Sequence, residues 1–596
     1  MRSTRFFIFI FIAGLLFPNM QIFSNHDNLQ KIYKTDSVIY QIISSLSVEQ
    51  GFSPPSSAGP WSGAELLTML SRITSETLSY SSKALYNWVS EQLSTPEKHS
   101  LSSDFGYTSI VDLTGELYFH INSGEHFNEE DEWIRNYTTR SPLLSIPFEF
   151  WGNNLFYGTL DLSLQNNRSS ITPESTSAYF EPYTTTNLIV DIDENNIDLS
   201  FPWRAFLSIG DNNWSIQFGR DIISWGNGVS GNLMIGDHLN YHEFFRFSTF
   251  FDPFKYTFLA ISFPHPDLYQ RPPNLPEDDD WSALRASISS IRTFIAHRYE
   301  FLLAPQLRVS LSEAMMYQGE TYDFRYFSPF VILHNYYMKE NANSILSLEI
   351  DYTLLRSLLI HGQFVIDDLS IGNERTSGDK TQPNAWGALG GLHYVKTVNS
   401  GILQIILEGV YTTPYLYLRN SRVYDFFYLE NDPNDEDRDQ NAQPIDFVVG
   451  YPQYTQSVGN VVKEEFLGYE YGGDAIVLNF VSAYTKPDAW EIHCSLFWML
   501  HGTFDADTPY ELGDAAVSMQ TPTVSPPEMK HSETFTTDKN SVETTFIVSI
   551  GGSYHITPKI KLSVDLGWVT RWNPGNIASL ESASDFQGSV GLAVSL

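Results

Sequence analysis

The sequence holds a single cysteine, Cys494, in 596 residues. One thiol so far from the start excludes an internal disulfide and a lipid attached to an N-terminal cysteine. Long apolar runs are also missing. After the first residues no stretch reaches the roughly 18 apolar residues that a membrane-crossing helix requires, which excludes a helical membrane protein. Basic residues are scarce, with 35 Lys and Arg against 70 Asp and Glu and a formal net charge of -35. Binding to a phosphate backbone needs clustered Lys and Arg, so nucleic acid is excluded as a partner. Cations and neutral, hydroxyl-rich ligands stay compatible with this charge.

Aromatic residues are abundant, at 15% of the chain, with 41 Phe, 33 Tyr and 13 Trp. Aromatic girdles at two membrane interfaces would consume them. A large aromatic core or a carbohydrate-binding surface would consume them too. The chain starts with Arg2 and Arg5 ahead of the apolar run Phe6 to Phe17, and Pro18 and Asn19 break the run. That order is the pattern of an export signal, which places residues 1–24 in a signal peptide cleaved near Ser24.

Residues 25–105 read as a small helical domain. Val38, Ile39, Ile42, Ile43 and Leu46 fall on one helical stripe. Ser62 and Glu65 have the spacing of a capping box at the start of a second helix. Pro54, Pro55, Gly59 and Pro60 separate the two helices. Leu85, Trp88, Val89 and Leu93 line a third. Three short helices bury little apolar surface alone, so they are expected to pack on something larger, as a periplasmic plug or lid.

From about Thr114 the apolar period changes from 3.6 to 2 and stays so to the end. Phe586, Gly588, Val590, Leu592, Val594 and Leu596 alternate with Gln587, Ser589, Gly591, Ala593 and Ser595. The same alternation runs through Trp490 to Leu500 and Lys559 to Trp568. The runs are about 9 to 11 residues long, enough for a tilted strand to cross a bilayer and longer than the usual five or six of a soluble sandwich. Further runs near residues 114–122, 154–165, 213–220, 243–252, 255–263, 294–303, 305–313, 345–354, 357–367, 386–396, 401–411, 475–484 and 543–553 bring the total to roughly 16. Residues 106–596 are therefore expected to form an all-β transmembrane barrel of roughly 16–18 antiparallel strands in the bacterial outer membrane. Such a barrel is expected to be a monomer inserted by the barrel-assembly machinery.

Long polar stretches near residues 370–384, 420–461 and 502–540 read as surface loops. The acidic runs Asn431 to Asp439 and Asp191 to Asn195 carry oxygen ligands but lack the spacing and glycine of an EF-hand, so a solvated loop is the stronger reading and no metal or other cofactor is expected. The segment Phe218 to Asp237 is distinctive. Its glycines allow tight turns, Trp225 offers a flat apolar face, and Arg220, Asp221, Asn232 and Asp237 offer hydrogen bonds. That combination suits a sugar ring, and it equally suits a tight lumenal turn packed by one tryptophan. Arg220 shares parity with Trp214, Ile216 and Phe218, so it faces outward unless Gly219 marks a bulge.

Gly219-Arg220, Trp225-Gly226-Asn227-Gly228 and Gly231-Asn232-Leu233 resemble the Wzi-like capsule-assembly outer-membrane proteins. The blocks His297 to Phe301, Leu307 to Glu313, Ser347 to Tyr352 and His361 to Asp368 continue the resemblance, which covers mainly residues 210–370. It implies a barrel of about 18 strands, closed on the periplasmic side by helices, that retains surface polysaccharide as a lectin without catalysis. The alternation agrees with a polar lumen, since Arg298, Glu300, Arg308, Glu349, Asp351, His361, Gln363 and Asp367 lie opposite apolar neighbours. Their ordinary role would be an interior network that stiffens the barrel. The leading expectation is a non-enzymatic barrel that binds or organises a surface polysaccharide; the alternative is a substrate-specific channel gated or plugged by the N-terminal helices. A hydrolase lacks any nucleophile signature in support.

Overall fold

A computed structural model describes residues 29–94, 105–122, 133–135, 139–166, 183–188, 197–198, 204–264, 291–319, 322, 324–328, 342–369, 384–418, 445–455, 459–506, 522–525, 540–578, 580 and 582–596. The signal segment, both acidic runs and most of the three long loops lie outside these residues. The barrel begins with β1 (Asp112–Asn122), β2 (Leu144–Gly152), β3 (Phe156–Asn166), β4 (Arg204–Asp211), β5 (Trp214–Asp221) and β6 (His242–Phe251). It continues with β7 (Phe254–Phe263), β8 (Ile291–Ala304), β9 (Leu307–Gly319), β10 (Ala342–Leu355), β11 (Leu358–Asp368) and β12 (Ala385–Val398). The last strands are β13 (Gly401–Thr412), β14 (Ala475–Lys486), β15 (Trp490–His501), β16 (Glu543–Thr557), β17 (Ile560–Trp572) and β18 (Ala583–Ser595).

Each strand pairs antiparallel with its neighbours, and β18 pairs with β1 from Asp585↔Asn122 to Ser595↔Asp112, closing an 18-strand barrel. Closure gives each of the 18 strands a hydrogen-bonded neighbour on both sides, as a lipid environment demands. The seam between β1 and β2 is short, at Asp112↔Ser145 and Leu113↔Leu144; Phe105–Ser109 continues it along β2. Period-2 alternation sorts the wall. Leu311, Ile350, Leu407, Leu478, Leu496 and Ile550 are exposed on the outside, where lipid would cover them, while Arg298, Glu349 and Glu408 point inward and are buried.

Short turns such as 252–253, 305–306, 356–357 and 399–400 join strands at one end, and all long connections lie at the other. In outer-membrane barrels the short turns face the periplasm. Helices α1 (Val38–Gln50), α2 (Gly63–Ser71) and α3 (Tyr80–Ser94) sit at this short-turn end. Ser357 N–H donates to the Val48 carbonyl at 2.9 Å, and the Trp88 indole donates to Asp488 at 2.7 Å. The apolar stripe of α1 packs, through Ile42, Ile43 and Leu46, on α3 Leu85 and Val89 and on wall residues Leu359, Val395 and Ile402. The helices thus complete their core against the barrel, as their small size demands.

Candidate functional site

Two pieces of chain enter the lumen from opposite ends and meet. From the periplasmic end, Phe52 to Trp61 threads upward between α1 and α2. From the outer end, Ile222 to Tyr241, the connection between β5 and β6, folds inward. They pair as short strands, Ser224↔Gly59 and Trp225↔Ala58. The periplasmic strap is anchored by Ser53 N–H to the Pro305 carbonyl, 2.8 Å, and by Thr353 Oγ1 to the Phe52 carbonyl, 2.6 Å.

The strap carries two prolines in succession and offers carbonyls more than N–H donors, which selects cations as its partners. Lys255 Nζ donates to the Ala58 carbonyl at 3.1 Å and to Ser56 Oγ at 2.9 Å. Arg246 donates to the carbonyls of Ala58 and Pro60, and Arg308 Nε donates to the Pro54 carbonyl at 3.2 Å. Four carboxylates balance these cations. Glu65 binds Lys255 at 2.5 Å, Arg298 lies between Glu300 and Glu349, and Asp351 accepts from Asn227 Nδ2 at 2.8 Å. Arg298 is wholly buried, with its guanidinium 5.5 Å from the Trp225 ring. A buried charge persists only when paired and hydrogen-bonded on every side, and here it is. Ser62 caps α2 through the Glu65 N–H, 3.2 Å, but the Glu65 side chain turns to Lys255 instead of closing the capping box.

The five residues of the distinctive segment do not converge. Strand register runs unbroken through Gly219, Phe206↔Gly219 and Ala205↔Arg220, so Arg220 stays outside, paired with Glu243 and over the Tyr241 ring at 3.9 Å. Asp221 is buried in a two-pronged pair with Arg204, 2.9 and 3.1 Å. Trp225 is buried against Ala58. Asn232 accepts from Gln363 Nε2 at 2.6 Å and from Gly228 N–H at 2.9 Å, and donates to Ser224 Oγ at 2.9 Å. Gly226 has φ +128°, and a Cβ there would lie 2.2 Å from Asn232 Oδ1, so only glycine fits this turn. Asp237 is exposed.

The lumenal set, in contrast, is drawn into one interior. Arg298, Glu300, Arg308 and Glu349 form the ion-paired centre; Asp351 and Gln363 hold the inward turn; His361 Nε2 stands 3.8 Å from Glu408. Asp367 accepts from Tyr417 N–H at 3.0 Å. Sequence reasoning missed Arg246, Lys255, Glu65 and Glu408, although the first two and Glu408 lie on inward parity and Glu65 was visible only as a cap. Glu408 accepts from Val229 N–H at 2.9 Å and Ser230 N–H at 2.8 Å, a carboxylate fixing the tip of the inward turn.

Above this polar layer lies an apolar plug. Trp225, Leu233, Met234 and Ile235 pack with Tyr415, Leu416, Tyr417, Phe447, Phe466 and Tyr469, which come from the connection between β13 and β14. Burial raises the hydroxyl pKa of Tyr417 and Tyr469 above the ordinary phenol value, so both remain donors at neutral pH. Tyr417 donates to the Leu233 carbonyl at 2.5 Å and accepts from Tyr469 N–H at 3.1 Å. Among the described residues no group of three His, Cys, Asp or Glu could hold a metal ion.

No protein-family model matches the chain, and no curated protein matches it in sequence. Among solved structures it superposes on Wzi, an outer-membrane protein involved in group 1 capsule assembly in Escherichia coli and described as a carbohydrate-binding β-barrel. The TM-score is 0.54 at 13% identity, over 94% of this chain and 99% of that one. The outer-membrane channel DcaP of Acinetobacter baumannii aligns at TM-score 0.31 and 10% identity, over 84% of this chain and 99% of that one. OccK7 of Pseudomonas aeruginosa aligns at 0.35 and 7%, over 82% and 99%. The resemblance first carried by residues 210–370 thus extends in fold across nearly the whole chain, and the fold is that of a bacterial outer-membrane β-barrel.

Proposed function

We propose that this chain is a sealed, non-enzymatic outer-membrane barrel that binds or organises a surface polysaccharide. The observation that carries the reading is the meeting of Trp225 with Ala58 inside the barrel, with buried ion pairs below and an aromatic plug above. A lumen filled from both ends supports a barrel that works through its outer surface. Fold likeness to a carbohydrate-binding barrel supports a glycan as the ligand. The net charge of -35 favours a neutral chain, or one bridged by cations, over a bare polyanion. In this reading the protein acts as a monomer, is inserted by the barrel-assembly machinery and uses no cofactor.

The test is a glycan array probed with the refolded, full-length protein. Retention of one or more surface polysaccharides is expected; no retention across capsular and outer-core glycans would contradict the reading. A second reading, a substrate-specific channel, is favoured by one feature. The strap is held chiefly by hydrogen bonds to its carbonyls, which water could replace if it withdrew. Conductance measurements separate the two.

A further inference from the structure

The described N-terminal residues are anchored chiefly to one side of the periplasmic end. Among the described residues, contacts from the N-terminal segment reach the wall from β2, where Lys31 pairs with Glu149, round to β13, where Gln404 meets Ser45. Further round the wall, the Trp88 indole of α3 reaches the turn at Asp488. On β15 and β17 the inward side chains nearest the periplasm are polar and half-exposed, with Glu491 and Lys561 each 42% and His493 44% accessible, while Ser553 on β16 between them is buried. Arg298 and Glu349, inward on the opposite wall, are buried.

This wall is built from ion pairs and hydrogen-bonded hydroxyls. His493 Nε2 is 3.5 Å from Asp565, and Lys561 Nζ is 3.7 Å from Glu491. Ser553 donates to Glu491 at 2.9 Å, and Ser495 and Ser549 share a 2.6 Å hydrogen bond. Glycine makes room for the cluster: a Cβ on Gly551 would lie 2.1 Å from Asp565 Oδ1 and 2.7 Å from His493 Nε2. Above it the same strands turn apolar. Phe497, Met499, Ile547 and Val569 are buried, and Trp133 lies over Phe497 and Tyr471 at ring distances of 6.4 and 6.2 Å. Among the described residues the result is a polar chamber with an apolar ceiling, in which Glu491, His493 and Lys561 are accessible at the periplasmic end.

We propose that this chamber is a second binding site, reached from the periplasm, for a neutral hydroxyl-rich chain such as an oligosaccharide. Two carboxylates face one lysine and a histidine, so no strong charge of either sign selects an ionic ligand. Serine hydroxyls, carboxylates and imidazole supply the alternating donors and acceptors that sugar hydroxyls require. The ligand class rests on the polysaccharide reading above; the existence and sidedness of the chamber do not.

The test places one cysteine on the chamber wall, Ser549→Cys with Cys494→Ser, and Ser563→Cys as a second position should the first disturb folding. A charged fluorescent maleimide too large for general porins is applied to intact cells and to cells whose periplasm has been opened. Labelling only after opening is expected, with Ser310→Cys beneath the strap unreactive in both. Labelling of intact cells, or none in opened cells, would overturn the chamber whether or not the array finds a glycan. On purified protein, maltoheptaose at about tenfold above a millimolar Kd should slow labelling by about tenfold, the inverse of the free fraction. An unchanged rate would overturn the ligand class while leaving outer-surface glycan binding untouched.

Discussion

Arg298 is the side chain on which the lumenal network turns. It has no water to fall back on, and it separates Glu300 from Glu349. Removing one member of such a set leaves the others charged and dry, which costs about 3–5 kcal/mol. Arg298→Met should lower the unfolding free energy by that measure, read as a fall in the denaturant midpoint of detergent-folded protein, and adding Glu349→Met should recover part of it. An unchanged midpoint for the single variant would show that the pair is solvated. The inward direction of Arg298, Glu300 and Glu349 was legible from parity alone, because period 2 fixes the face. Their partners on the strap were not. Ser56 lies 244 residues from Glu300, and no local pattern encodes a contact at that separation. Glu65 was legible only as a helix cap, since its spacing from Ser62 satisfies a local rule that a stronger, distant cation overrides.

Among the elements, the strap and the inward turn decide what the lumen contains. Both look like linkers in sequence, rich in Pro and Gly, and a linker carries no signal that says whether it crosses the surface or the interior. The strands were easier, yet β2 and β4 escaped. Pro147 lacks an N–H for the ladder and so argues against a central strand at β2, and β4 is only eight residues long and ends in Ser208, Ile209, Gly210 and Asp211. Each was recoverable only by pairing with a neighbour, Ile146↔Leu162 and Leu207↔Phe218. If the strap shields the wall, Ser310→Cys with Cys494→Ser should resist charged maleimide in the full chain and react readily once residues 37–94 are deleted. Equal reactivity in both proteins would place the strap elsewhere.

At the scale of the whole molecule, an apolar outer face and a polar inner one are set by the same alternation, so closure into a barrel was legible before any contact was known. What filled the barrel was not, because filling depends on long connections whose path is chosen by the wall they meet. The filled centre separates the sealed barrel from the channel, and current through the intact protein reads it most directly. Full-length protein reconstituted in planar bilayers, with strap and inward turn in place, is expected to give no stepwise single-channel current. Steady, resolvable openings from the full-length chain would contradict the sealed lumen and favour the channel.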